Sequence, residues 1–474
     1  MDDDLESIFV KILHYVHGTT PVRGGGLIKY AQDLMIEQQR QGKKVVLLIP
    51  GSVNRKKRNE TKIEKSHNWE QGIEQYRIKN ALPIPMCNGI QDIEWYTTEG
   101  DYQIYYDFLD SLQPDVIHVH SVMGIHVNFF VAAHNLKIPV IFTTHDYFGI
   151  CPKTDLVNCN GNCDRVNWDE CGGCCENAFS HFHVVLEQSR IYRFYRNSQI
   201  LINIGYIVID LLQYIKQKRS RKEVRIEKLC SDSYRTENSS RDYAKLKKYY
   251  ETIFKYITLF HYNSNVTKTE YEKRVQDLKG KVLSITNATI ADNREKKIFG
   301  STLRIGYMGR IDREKGFYLI QDVVQQMVSQ GKINIELHVY TREKRDWPNY
   351  VHAHVPYKYE QMAEVMRGLD MVVVPSLLWE TFGFTALEAI SYGLPVVVTE
   401  NVGAKDLLVN NEWGFVVQPD KKAMCSIIEQ IYDDRDILRK VNEEICRSEF
   451  EFSIGKHVYD VEKLYVEAIR DLKE

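Results

Sequence analysis

Two carboxylates, Glu380 and Glu388, bracket the run Thr381-Phe382-Gly383-Phe384-Thr385-Ala386-Leu387. Their separation of eight residues is a little over two helical turns, with a helix start expected between them. Glu380 then belongs to a loop and Glu388 lies deeper along the helix. A helix N-terminus presents free N–H groups and the positive end of a dipole, suited to phosphate or sugar oxygens. Upstream, Gly309-Arg310-Ile311-Asp312-Arg313-Glu314-Lys315-Gly316 follows a strand pattern and precedes a helical one. Arg310 and Lys315 combine a planar fork with a point charge, a pairing suited to clamping a departing diphosphate. Alone they would read as solvated surface charges; the Glu380 run downstream favours function. His145 follows the apolar run Val140-Ile141-Phe142, at a strand end where open α/β sheets gather ligands. His118 and His120 alternate on a strand and face one side, so at least one is expected as a hydrogen-bonded core histidine. Gly24-Gly25-Gly26 by itself is a turn.

A second constellation is built from thiols. Cys151, Cys159, Cys163, Cys171, Cys174 and Cys175 are six of the ten cysteines. Cys159-x3-Cys163 and Cys171-x2-Cys174 have the spacing of structural zinc ligands, because short turns point two thiolates at one ion. Asn, Asp and Gly dominate the segment, which has too few apolar residues to pack a core unaided. Structural zinc and free thiols both stay open, with disulfides disfavoured by a reducing compartment. Further on, Ile200 to Ile215 is aliphatic but broken by Asn203, Asp210 and Gln213, a poor spanning helix. Lys216, Lys218, Arg219, Arg221, Lys222, Arg225 and Lys228 follow, against Glu223 and Glu227. Such a segment suits an anionic leaflet and a lipid-linked acceptor; the plain alternative is a packed helix with a solvated end.

These residues need elements to position them. Ile12–Val16, Val45–Ile49, Val116–Val119 and Val140–Phe142 are short apolar runs separated by helical patterns. The alternation restarts with Leu303–Tyr307, Ile335–Val339, Met371–Val374 and Val396–Val398. Near-continuous apolar strands joined by helices predict parallel sheets covered on both faces. The expected architecture is α/β, two Rossmann-like domains facing each other across a cleft, with ligand at the carboxyl ends of the strands. Boundaries are expected at 1–290 (with an insertion over about 151–255) and 302–455, followed by a helix over 456–474 packing back on the N-terminal domain. Lys plus Arg is 62 against 64 Asp plus Glu, which argues against a bulk nucleic-acid binder. The N-terminal residues show no basic n-region or long apolar run, so the expected location is the cytoplasm, at the inner face of the membrane if the basic run attaches there.

The ordered set of motifs resembles the family-4 glycosyltransferases of GT-B architecture, over about residues 8–150 and 255–474. It comprises the Gly25-Gly26 loop, Asp115-Val116-Ile117-His118-Val119-His120, His145-Asp146, Ser264 and Asn287. It continues with Gly309-Arg310 through Lys315-Gly316, Pro375-Ser376, the Glu380-x7-Glu388 pair and Gly393-Leu394-Pro395-Val396-Val397. The resemblance implies a retaining enzyme using a nucleotide diphosphate sugar of UDP or GDP type. It implies that Arg310 and Lys315 bind the diphosphate, Glu388 the ribose and Glu380 the donor sugar. Backbone N–H groups of Phe382, Gly383 and Phe384 would hold sugar hydroxyls, and those around Thr385 a phosphate. Gly26 would let the first loop approach the diphosphate, and His145 would sit beside the reacting sugar. No cofactor is then required for catalysis, since the clamp replaces a divalent ion. Three departures, Tyr340-Thr341-Arg342 for a Gly-x-Gly in a loop near the base, Asn287-Ala288 without the usual glycine, and Gly403-Ala404-Lys405-Asp406, leave the clamp and the Glu pair untouched, so they bear on nucleotide specificity more than on reaction class.

The expected reaction moves a sugar to a hydroxyl of a glycan or glycolipid, as in cell-surface polysaccharide assembly. A sugar-nucleotide epimerase of the same architecture is one alternative; it needs acids or bases beyond His145. A non-catalytic nucleotide- or glycan-binding scaffold is another, opposed by the intact Glu380, Glu388, Arg310 and Lys315.

Overall fold

In the computed structural model the chain divides into two compact units. The structure describes residues 11–53, 60–85, 89–158, 161–164, 168–189, 192, 194–195 and 242–472. The first unit runs to Phe260 and includes 277–279 and the segment from Tyr465; the second holds 261–276 and 280–464. The aliphatic stretch 200–215 and the basic run 216–228 lie outside the described residues, as does Cys159.

The strands expected from apolar runs form the middle of the first sheet: β1 (Lys11–Tyr15), β2 (Lys44–Pro50), β5 (Val116–Val119) and β6 (Val140–Thr144). Between them come β3 (Lys62–Lys65) and β4 (Glu74–Lys79); β7 (Val157–Asn158) and β8 (Gly161–Asn162) form a separate hairpin. With β9 (Leu259–Tyr262) and β10 (Gly280–Val282), the sheet order is β10-β9-β6-β5-β1-β2-β4-β3. The pairs β4-β2, β2-β1, β1-β5 and β5-β6 are all parallel, and edge strand β3 runs antiparallel to β4. Strand order reverses at β1 and β5, so the loops after these two strands frame a crevice of the kind that takes ligands. The helix Gly26–Arg40 lays Ile28, Ala31 and Met35 against Val45, Leu47 and Ile49.

The second unit has six parallel strands: β11 (Leu303–Tyr307), β12 (Ile335–Tyr340), β13 (Val351–His354), β14 (Met371–Val374), β15 (Val396–Thr399) and β16 (Gly414–Val417). Their order is β13-β12-β11-β14-β15-β16, the doubly wound 3-2-1-4-5-6 arrangement, with its switch point between β11 and β14. The helix Phe317–Ser329 follows β11 and buries Phe317, Ile320, Val323, Val324 and Met327, the spacing of one helical face. Those side chains pack on Leu303, Ile305, Leu337, Val339 and Val373. Each such buried aliphatic contributes about 1.5–3 kcal/mol relative to exposure, which holds the loops at the strand ends in place.

The last helix, Ile454–Asp471, buries Val458, Val461 and Tyr465. Within the first unit the Tyr465 hydroxyl accepts from Gln38 Nε2 at 3.1 Å and lies 2.7 Å from His118 Nδ1. Among the described residues no helix is long and apolar enough to cross a membrane.

Candidate active site

The loop after β11 and the loop after β14 flank the switch point of the second sheet, and they carry Arg310, Lys315 and Glu380. The Lys315 ammonium donates to Glu380 Oε1 at 2.9 Å, with about a quarter of the lysine side chain exposed. An ammonium has three donors, so two remain for phosphate oxygens. The other oxygen, Glu380 Oε2, is buried and has no hydrogen-bond partner among the described residues. A buried acceptor left over in a strand-end crevice is a place for a ligand hydroxyl. Arg310 is 70% exposed and its Nε pairs with Asp312 Oδ2 at 2.9 Å. That contact is a weak surface pair, easily exchanged for a phosphate.

Local backbone bonds fix both loops. The Lys315 N–H donates to Asp312 Oδ1 at 2.7 Å, and the Tyr307 hydroxyl donates to the carbonyl of Arg310. Glu380 bridges to Val402: its N–H donates to Asn401 O at 2.9 Å, and its carbonyl accepts from Gly403 N, also at 2.9 Å. Ser264 Oγ donates to the Thr381 carbonyl at 2.6 Å, which gives that motif residue a positioning role. Gly383 takes φ +94°, and a Cβ there would lie 2.8 Å from Val402 Cγ1, so only glycine fits this turn without strain. The helix Phe384–Ile390 starts immediately after it, with Thr385 in its first turn; Phe382 is buried and meets Phe384 edge-on at 5.3 Å.

Glu388 lies one turn further along this helix, as the spacing required. Burial pushes its carboxyl from 4.5 up to about 7. Its charge reaches three tyrosines: burial raises Tyr357, Tyr359 and Tyr392, and the Glu388 charge raises each further. Sequence reasoning missed these phenols. Tyr357 and Tyr359 follow β13, whose His352-Ala353-His354 stretch carries no apolar run to mark it as a strand.

In the first unit His145 sits just past β6, its ring 4.8 Å from that of Tyr30 and 5.8 Å from that of His120. Burial pushes neighbouring Asp146 up to about 6, partly offset by the Phe148 N–H that its Oδ1 accepts at 2.8 Å. Gly25 takes φ +108°, and Gly26 is the first residue of the helix that follows β1. The positive-φ requirement thus falls one residue earlier than the position assigned to close approach.

His14, His118 and His120 form a buried trio whose ring nitrogens lie within 4.8 Å of one another. His14 bonds His120 Nε2 through Nδ1 at 3.0 Å and Gln38 through Nε2 at 2.8 Å. His118 bonds Tyr465 and Thr143, each at 2.7 Å. Both nitrogens of His14 and of His118 are engaged, so these two are hydrogen-bonded core histidines.

The thiols gather less tightly. Cys163 follows the β7–β8 hairpin, Cys171–Cys174 is a single helical turn, and Cys151 and Cys175 are buried beside them. Burial raises the Cys171 thiol most, with Cys151, Cys175, Cys174 and Cys163 adding to it in that order. Among the described residues no three of these sulfurs lie within 4.8 Å of one another.

A basic side chain paired with a carboxylate at the strand ends of a doubly wound sheet is the geometry of an α/β enzyme whose ligand lies at the switch point. Two family patterns match in chain order: Glycosyltransferase Family 4 over residues 24–158 and Glycosyl transferases group 1 over 302–434. The chain belongs to these glycosyltransferases, with Rossmann-like domains of the GT-B type. It is 23% identical to a glycogen synthase of Protochlamydia amoebophila, across 75% of this chain and 72% of that one. A capsular polysaccharide biosynthesis glycosyltransferase of Staphylococcus aureus is 28% identical, over 31% of this chain and 41% of its own length. Among solved structures, an Anabaena protein in complex with UDP aligns over 97% of this chain and 100% of that chain, at TM-score 0.54 and 12% identity.

Proposed function

We propose that the enzyme transfers a sugar, with retention of configuration, from a nucleotide diphosphate sugar to a hydroxyl of a glycan or lipid-linked glycan in polysaccharide assembly. The observation that carries this reading is the Lys315–Glu380 pair at the switch point, with the second Glu380 oxygen buried and open. Lys315 and Arg310 take the diphosphate and stabilise the charge that grows as it leaves. Glu380 accepts from a donor sugar hydroxyl, and the N–H groups of Phe382, Gly383 and Phe384 donate to others. Thr385 opens the helix toward a phosphate, and Glu388 holds the ribose. On the first unit the proposed contributions are Gly25-Gly26 toward the diphosphate and His145 toward the sugar. UDP bound to the Anabaena relative of the same fold supports a nucleotide diphosphate donor. The names of the capsular and glycogen-synthesising relatives support a glycan acceptor.

Retention follows when the acceptor hydroxyl approaches on the face from which the diphosphate leaves. A departing phosphate oxygen takes its proton, so no protein nucleophile is needed. The test is to incubate the enzyme with UDP-, GDP- and ADP-sugars plus glycan acceptors and to follow the anomeric proton by NMR. Nucleoside diphosphate release with the donor's anomeric configuration kept in the product is expected. Interconversion of the sugar on an intact donor would make the protein an epimerase instead.

A further inference from the structure

A cavity of about 630 Å³ lies wholly within the first unit. Its walls come from the loop after β1 (Thr19 and Thr20), from Gly51 and Ser52 after β2, and from one face of β4. Because side chains alternate along a strand, Gln75, Arg77 and Lys79 share that face. Trp69 closes another side. The cavity adjoins the Gly24–Gly26 turn in sequence and opens at the carboxyl ends of β1 and β2, where this class of sheet binds ligands. Gly51 lets the walls approach, since a Cβ there would lie 2.7 Å from the Ile78 carbonyl.

The charge in this cavity is uneven. Lys65 pairs with Glu74 at 2.9 Å, and Lys79 pairs with Glu64. Among the described residues Arg77 has no such counter-ion: its Nη2 donates to Gln75 Oε1 at 3.2 Å, and Gln75 is itself buried. Its Nε is buried without a hydrogen-bond partner among the described residues. Burial lowers the guanidinium below its ordinary value, and among the described residues no carboxylate offsets it. A partly buried cation held by a neutral amide, with a donor still unused, is costly unless an anion completes it. The guanidinium fork matches carboxylate and phosphate oxygens alike. Trp69 offers a ring face for the apolar side of a sugar, and the Thr19 and Thr20 hydroxyls offer partners for its rim.

We infer that this cavity is the acceptor subsite and that it takes an oxyanion-bearing sugar, a uronate or a sugar phosphate, with Arg77 gripping the anion. The word acceptor rests on the transfer reading above; the anionic-sugar site does not. Calorimetric titrations of the full chain with glucuronate, glucose 6-phosphate, inorganic phosphate and glucose test it, alongside titrations with UDP, GDP and ADP. Saturable binding of glucuronate, glucose 6-phosphate or both is expected, each tighter than glucose and than inorganic phosphate, and the pair separates a carboxylate from a phosphate source. Arg77→Gln should weaken that binding roughly 30-fold or more, as for removal of one member of a buried charge pair, while nucleotide binding stays unchanged. Arg77→Lys keeps the charge without the fork and should fall between parent and Arg77→Gln, which guards against a variant that merely misfolds. Equal binding of glucose and the charged sugars, no binding of either charged sugar by the parent, or indifference to Arg77→Gln would each overturn the inference. Parent protein that binds charged sugars but no nucleotide would instead sink the transfer reading and leave this site standing.

Discussion

At the residue scale, the environment of Glu388 decides when its carboxyl is charged. Folded, the carboxyl keeps its proton to about pH 7, whereas the ordinary value is 4.5. The resulting stabilisation is full below the lower value and is lost as pH rises through the higher one. In the proposed ribose contact a nucleotide reverses the preference, since ribose hydroxyls donate best to the ionised form. Nucleotide affinity should therefore rise as pH is raised through about 7, and Glu388→Gln should bind more weakly with a flat profile. Titration calorimetry across that range checks both; an unchanged affinity in Glu388→Gln would remove the ribose assignment. The placement of Arg310, Lys315, Glu380 and Glu388 in the fold was legible in the sequence because their spacing is tied to a strand–loop–helix repeat. The tyrosines around Glu388 and the uncompensated Arg77 were not, since nothing local marks a residue whose role comes from tertiary neighbours.

Elements explain why some strands were readable and others not. β14 and β15 are apolar on both faces, and β1, β5 and β11 still carry enough buried apolar residues to announce themselves as short hydrophobic runs. β4 carries Gln75, Arg77 and Lys79 on one face, and β13 is mostly polar, so neither does. The turn at Gly383 is the element on which the clamp depends. Gly383→Ala should lose about 1 kcal/mol or more of stability through its positive φ and its contact with Val402. It should also weaken nucleotide binding by displacing Glu380; a thermal midpoint and a nucleotide affinity both equal to the parent's would contradict this. For the cysteine segment the proposal remains structural zinc, held by Cys159, Cys163, Cys171 and Cys174. Elemental analysis of protein purified without added metal should find near-stoichiometric zinc that Cys171→Ser releases. No zinc, with every thiol titratable, returns the segment to plain thiols.

At the scale of the whole molecule, two doubly wound sheets were foreseeable because the apolar alternation restarts near residue 303. The sequence also carries a basic run, Lys216 to Lys228, proposed to hold the enzyme at an anionic membrane face. Each basic residue near such a surface contributes about 1 kcal/mol, and salt screens it over a Debye length of about 8 Å. Sedimentation with anionic vesicles should be salt-sensitive and should fall when Lys218, Arg219, Arg221 and Lys222 become Gln. Equal sedimentation of this variant and the parent would make the run an ordinary solvated helix end.

The central claim is that Lys315, held against Glu380 at the switch point, stabilises a departing nucleoside diphosphate. Acceptor-dependent release of that diphosphate, measured for the parent and for folded Lys315→Ala with the preferred donor, tests it most directly. Losing one such electrostatic stabiliser should slow release by roughly 10²–10³-fold. Release from Lys315→Ala at the parent's rate would contradict the account.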